Sequence, residues 1–511
     1  MPNSTSKSNS KSKSTSFIKY NIGKTTRKEV RKSKKNLKTL LKTTRNKRIN
    51  QKMNSSSKKR YSIIAKNRKL SQIDDIAKTT KHNKTTKTNK ITKYLDRIRS
   101  SRMKEYNKNR KPLDYLKMIC SDTGVCIAFG IETTRIRRFF DDFEKFNHVA
   151  NMKNINPGSV NGNIYEIKYE LDNYVAYAIL KNSQNVHSDS VIYEYLVGLF
   201  INTKHMIYPC FLETYEMYKS NGITLNSIND LKQMTPYKNI NDNPIDLICN
   251  NITSPSNTQN EFTLLIQHIK EATTLYECLH RIDTSFYEFE IFFVLFQIYH
   301  TLSELSEHFT HYDLHYENVL LYEPVNGSYI QYNYEIKGKK INFKSKYVVK
   351  IIDYGKCFFK NTKNKTSSSD VRDYICSVPN CNCGEKIGFN SITDNTYFCT
   401  HSNICSYKKN ISHDLRLLKM LDVFAVDEPN LSNITQNVIY DGTYGTPEIT
   451  TSGLGLSKPK IHNIIDAFSV ILETITTIPE IIQKNNDYYQ NSTLLGNLYI
   501  YGGNTKTLFT R

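Results

Sequence analysis

His311-Tyr312-Asp313-Leu314-His315-Tyr316-Glu317-Asn318 leads directly into an apolar run, Val319-Leu320-Leu321. Further on, Tyr347-Val348-Val349-Lys350-Ile351-Ile352 leads into Asp353-Tyr354-Gly355. Both apolar runs are short, mostly aliphatic and bounded by polar residues, the pattern of buried strands. Each is a stiff support with a polar loop at its end. One loop carries Asp313 and Asn318, the other Asp353.

A His-x-Asp with Asn five residues after the Asp, then a strand ending in Asp-x-Gly, resembles the catalytic pattern of the protein-kinase-like superfamily. The resemblance spans about Ile155 to Leu421. It implies an α+β chain with a two-lobed protein-kinase-like fold: a small β-rich N-lobe, a mainly helical C-lobe, and ATP with Mg²⁺ in the cleft. It also implies roles. Asp313 is the base that orients the acceptor hydroxyl, His311 belongs to the same catalytic loop, and Asn318 and Asp353 are the metal ligands. Asp414 takes the place of the buried aspartate that hydrogen-bonds the catalytic-loop backbone. Composition and insertions resemble those of kinase-like proteins from giant DNA viruses, which would make this a viral protein.

Upstream residues extend the pattern. Gly158-Ser159-Val160-Asn161-Gly162-Asn163-Ile164 stands where a glycine-rich phosphate loop is expected, since backbone N–H groups approach an anion closely only where side chains are small. It has one glycine fewer and a spacing one residue longer than the kinase pattern, so a plain hairpin turn fits as well. Ala178-Ile179-Leu180-Lys181 resembles the strand whose lysine contacts the α- and β-phosphates. Glu194 lies in an apolar helical segment, Val191–Phe200, where a carboxylate is costly unless paired. Lys181 is its expected partner; a surface salt bridge is the other reading. The strand Glu261–Ile269 leads to a hinge at Gln267 and Ile269, whose backbone would meet the adenine.

The 511 residues carry a net charge of +23, very unevenly spread. Residues 1–112 hold 36 Lys+Arg against 5 Asp+Glu, a formal +31, which leaves −8 for the remainder. Apolar residues in this stretch are too sparse for a core. It reads as a disordered basic arm that could bind nucleic acid or another polyanion, or serve as a solvated tail. Residues 113–150 read as a helical lead-in with Phe139, Phe140, Phe143 and Phe146 on one face. The N-lobe is expected at 151–269 with a polar insertion at 216–260. The C-lobe is expected at 270–511, with insertions at 323–346 and 360–411.

No apolar run reaches the ~18 residues of a membrane span, and Met1–Ser16 lacks an apolar signal core. The expectation is an intracellular, non-secreted protein, in host cytoplasm, nucleus or virion if viral. Its 11 Cys are then expected free or metal-bound. Cys381, Cys383, Cys399, His401 and Cys405 suit a structural Zn²⁺ clip, although the spacing singles out no four ligands. Thr366-Ser367-Ser368-Ser369 reads as a phosphorylation cluster or a plain loop.

Together these features predict an ATP- and Mg²⁺-dependent serine/threonine-protein kinase acting on a protein substrate. Two alternatives stand beside it. His315 occupies the position where serine/threonine kinases carry a lysine, and Asp-Leu-His is similar to aminoglycoside and choline phosphotransferases, so a small-molecule acceptor is open. A pseudokinase scaffold tethered to nucleic acid by the arm is the other, although every charged catalytic position is filled.

Overall fold

The structure is a computed structural model that describes residues 118–121, 125–156, 163–172, 174–182, 191–220, 223, 225–239, 262–281, 283–362, 366–377, 391–392, 403–404, 406–425, 427–440 and 460–510. The basic arm, Gly158, Gly162 and the five zinc candidates Cys381, Cys383, Cys399, His401 and Cys405 lie outside the described residues. The described chain is mixed α+β with several sheets.

Strands β1 (Met118–Cys120) and β2 (Cys126–Ala128) form an antiparallel hairpin with Cys120 opposite Cys126. A disulfide joins the two. This departs from the expectation of unpaired thiols: the hairpin register sets Cys120 and Cys126 directly opposite one another on neighbouring strands. Cys210, Cys278 and Cys357 are free and buried. Helix α1 (Ile131–Phe139) stops short of the expected aromatic face. Asp141, Asp142, Phe143 and Phe146 have positive φ, so the chain turns sharply there. Phe140, Phe143 and Phe146 are buried all the same, and Phe143 stacks on Tyr215 at 4.3 Å between ring centroids.

Six strands then form one antiparallel sheet: β3 (Val149–Asn154), β4 (Asn163–Leu171), β5 (Tyr174–Asn182), β6 (Thr214–Lys219), β7 (Thr235–Pro236) and β8 (Phe262–His268), ordered β3-β4-β5-β8-β6-β7. Strand β6 lies where the sequence suggested the start of an insertion. Its Glu216 gives it a polar look, yet the carboxylate is buried and accepts bonds from Met217 N and Tyr195 Oη. Helix α2 (Val191–Ile201) packs on β6 and β8. It comes close because residue 198 is glycine: a Cβ there would lie 2.1 Å from Thr214 Oγ1.

The rest of the chain wraps a helix buried along most of its length. Strand β9 (Thr273–Thr274) and helix α3 (Leu275–Leu279) precede it. A π-helical turn, Phe286–Glu290, leads into helix α4 (Ile291–Glu304), which is buried from Ile291 to Thr301 and on to Leu302. Strands β10 (Phe309–Thr310), β11 (Val319–Tyr322), β12 (Ser328–Ile336), β13 (Lys339–Ser345), β14 (Val348–Ile351), β15 (Phe358–Asn361) and β16 (Thr366–Ser367) follow. The two apolar runs that frame the polar loops pair antiparallel as β11 and β14, from Val319 opposite Ile351 to Tyr322 opposite Val348. The polar stretch between them is the β12–β13 hairpin. It is no loose insertion, because β12 also pairs in parallel with β19 (Thr493–Ile500) near the end of the chain. Between lie helix α5 (Ser368–Ser377), the short ladder β17 (Ser391–Ile392) with β18 (Asn403–Ile404), and helices α6 (Arg416–Met420), α7 (Pro429–Thr435), α8 (Ile464–Thr477) and α9 (Pro479–Tyr488). Strand β20 (Leu508–Thr510) completes that second sheet. No helix among the described residues is long and apolar enough to cross a membrane.

Candidate active site

Strand alternation in β5 turns Lys181 to one face of the sheet, and α2 presents Glu194 to it. Lys181 Nζ lies 2.8 Å from Glu194 Oε2 and 3.2 Å from Asp353 Oδ1. Glu194 is buried, so this lysine compensates a carboxylate that would otherwise be costly. Burial works against the Lys181 charge, but Asp353 and then Glu194 outweigh it and hold the ammonium protonated. Burial raises the Glu194 carboxyl above its ordinary range, while Lys181 holds the Asp353 carboxyl below it. Asp353 itself has φ 66°, a left-handed conformation that a non-glycine residue adopts at a cost.

The loop before β11 is fixed from beneath. Both oxygens of the fully buried Asp414 accept backbone bonds, from His311 N at 2.8 Å and Tyr312 N at 2.9 Å. Burial nevertheless pushes the Asp414 carboxyl up to about 7. Tyr312 has φ 64°, and its hydroxyl donates to Lys408 O at 2.6 Å. His311 stands between the two loops. Its Nε2 faces Ile352 O at 2.9 Å, and Asp313 N donates to Nδ1 at 3.3 Å. A carbonyl only accepts, so Nε2 carries the proton and the ring is a neutral brace. Burial lowers its pKa to about 4, in keeping with that state. The His311 ring thus joins the loop before β11 to the end of the strand that precedes Asp353.

Asp313 sits between two cations. Lys356 Nζ is 2.9 Å from Oδ2, and Arg416 Nη1 is 2.9 Å from Oδ1. Burial raises the Asp313 carboxyl, but Lys356 and then Arg416 outweigh it and bring it to about 2. The side chain of Arg416 is 8% exposed and that of Lys356 39%. Asn318 Nδ2 donates to Asp313 O at 2.9 Å, which leaves Oδ1 as its acceptor. Ile352 N donates to Asn318 O at 3.1 Å and ties the two loops together.

The structure therefore gathers Lys181, Glu194 and Asp353 into one network, and His311, Asp313, Asn318 and Asp414 into another that His311 links to the first. Ile164 lies on β4 opposite Lys181. At the expected hinge, Gln267 N donates to Glu213 O at 2.8 Å, and Ile269 is buried. Ser368 is also no exposed phosphoacceptor. It is fully buried, receives Tyr193 Oη at 2.7 Å and Phe359 N at 2.8 Å, and so ties α2 to the segment after Gly355. Lys356 and Arg416 escaped the sequence reading. The available signals were a lysine immediately after Asp353-Tyr354-Gly355 and an arginine two residues after Asp414.

The carboxylate of Asp353 and the amide oxygen of Asn318 are hard oxygen donors of the kind Mg²⁺ takes. Among the described residues no cluster of three or more His, Cys, Asp or Glu side chains is placed to hold a metal. No protein-family model matches the chain, and no curated protein shows significant similarity to it.

Proposed function

We propose that the protein is an ATP- and Mg²⁺-dependent phosphotransferase with a two-lobed kinase-like fold, acting as a serine/threonine-protein kinase. The observation that carries this reading is the Lys181 bridge to Glu194 and Asp353. Phosphoryl transfer depends chiefly on placing the nucleotide and neutralising its charge, and a lysine held between a helix carboxylate and a metal-site carboxylate serves both needs. The antiparallel order β3-β4-β5-β8-β6, with α2 between β5 and β6, supports the β-rich N-lobe.

In this mechanism Lys181 binds the α- and β-phosphates and Glu194 fixes its ammonium. Asn318 and Asp353 would hold Mg²⁺, which would supply charge neutralisation at the phosphates. Asp313 orients the acceptor hydroxyl and receives its proton. Arg416 and Asp414 hold Asp313 and its loop in place, and His311 braces that loop on the Asp353 strand. His315, at a position where a lysine is expected, is the observation that favours a small-molecule acceptor as a second reading. We assign the basic arm to sequence-independent polyanion binding, with nucleic acid the foremost candidate, on its charge alone.

Calorimetric titration with ATP tests the reading. Binding should require Mg²⁺, and Lys181→Met should weaken it roughly 10- to 100-fold, the worth of one charge-assisted contact. Binding that is indifferent to both Mg²⁺ and Lys181 would refute it.

A further inference from the structure

Lys356 is the exposed member of the pair that clamps Asp313. It follows Gly355 directly and lies three residues after Asp353. Its ammonium is 2.9 Å from Asp313 Oδ2, where an acceptor hydroxyl must come to be oriented. Arg416, on Oδ1, is buried and cannot leave without a large desolvation change. Lys356 can swing out into solvent: its side chain is 39% exposed, against 11% for Asp313, and its four-carbon stem is flexible. Residue 315 offers no substitute charge at the site. It is an imidazole whose Nδ1 accepts from Glu317 N at 3.3 Å, the bond that caps the short turn leading into β11.

We propose that Lys356 is a catalytic residue that exchanges Asp313 for the γ-phosphoryl group of the bound nucleotide, supplying the cation that position 315 lacks. The inference rests on the phosphotransferase reading above and adds one residue to it. Before nucleotide arrives, Lys356 covers Oδ2. With ATP in place the ammonium moves to the γ-phosphate oxygens and uncovers Oδ2 for the acceptor. The acceptor oxygen then bonds to the γ-phosphorus as the bond from that phosphorus to the bridging β–γ oxygen breaks. The hydroxyl proton passes to Asp313, and ADP leaves with the electron pair of the broken bond.

The test uses the full chain and two readouts. In binding, wild type should hold Mg·ATP more tightly than Mg·ADP, and Lys356→Met should erase that difference while leaving ADP affinity within about threefold. In transfer, Lys356→Met should lower kcat about 100-fold, the scale for losing one preorganised charge at the reacting group, and should raise KM for ATP by the same factor as the lost ATP-over-ADP preference. Lys356→Arg should keep most of the activity, and His315→Lys placed in the Lys356→Met background should restore part of it. Lys356→Met with an intact ATP-over-ADP preference and normal kcat, beside an inactive Asp313→Asn, would overturn the assignment and spare the phosphotransferase reading. Failure of wild type to bind either nucleotide would overturn both.

Discussion

Arg416→Met removes the buried half of the clamp on Asp313. The magnitude follows from the geometry. Arg416 and Asp313 side chains are 8% and 11% exposed, with Nη1 2.9 Å from Oδ1. Breaking a buried pair by deleting one partner costs about 3–5 kcal/mol when the remaining charge is left alone. Asp313 keeps Lys356 on Oδ2, so the loss should be smaller. The two cations together hold the carboxyl at about 2 against an ordinary 3.8, which at about 1.36 kcal/mol per unit is worth about 2 kcal/mol. Lys356 supplies the larger share of that effect and remains in the variant, so we expect Arg416→Met to lower the unfolding free energy by about 1 kcal/mol at pH 7, with an unchanged m-value in urea. Transfer should suffer more than binding. A misplaced Asp313 should reduce kcat on the order of 100-fold, while the KM for ATP, set by Lys181 and the metal ligands, stays within about threefold. Arg416→Lys should recover stability better than rate, because an ammonium restores charge without the planar fork. A variant as stable and as active as wild type would refute the idea that Arg416 positions Asp313.

Three further outcomes are expected. Glu290 is fully buried between Ser345 Oγ and Tyr489 Oη, and burial pushes its carboxyl up to about 7 from 4.5. A raised folded-state pKa gives stability that is complete below pH 4.5 and lost as pH rises through 7, about 3 kcal/mol in all. Urea melts of Glu290→Gln should lack that decline, and parallel pH profiles would contradict it. Gly198→Ala sets a Cβ against Thr214 and must push α2 off the sheet; it should cost about 1–3 kcal/mol and weaken ATP binding, and a melt unchanged from wild type would count against the close packing. Removing residues 1–112 should abolish salt-sensitive binding to double-stranded DNA and RNA yet spare ATP binding, whereas undiminished nucleic-acid binding would place that activity elsewhere.

The parts of this arrangement that were legible in the sequence are those encoded within a few residues. The spacing from His311 to Asn318 fixes one loop, and the apolar runs on either side announce β11 and β14. Lys181 ends an alternating strand, and Glu194 sits in a helix too apolar to leave it unpaired; the two lie 2.8 Å apart. What escaped notice depends on distant partners. Arg416 meets Asp313 across 103 residues. The hairpin β12–β13 looked like a polar insertion because its second partner, β19, begins more than 140 residues later. Glu216 hid a buried strand, since the hydroxyl that meets its carboxylate comes from Tyr195, on a different element, and no periodicity reveals it. The turn after α1 was hidden by the positive φ of four non-glycine residues, a conformation that Asp141 and Asp142 tolerate but that Phe143 and Phe146 do not favour.

Phosphate transfer from γ-labelled ATP with Mg²⁺, measured for wild type and Asp313→Asn together, tests the central claim most directly. The acceptors should be the protein itself, a generic basic protein and a pool of aminoglycosides and choline. The account predicts label on serine or threonine of a protein with wild type and none with Asp313→Asn, both proteins binding ATP alike. Label that persists in Asp313→Asn, or ATP bound by wild type without transfer to any acceptor, would contradict it.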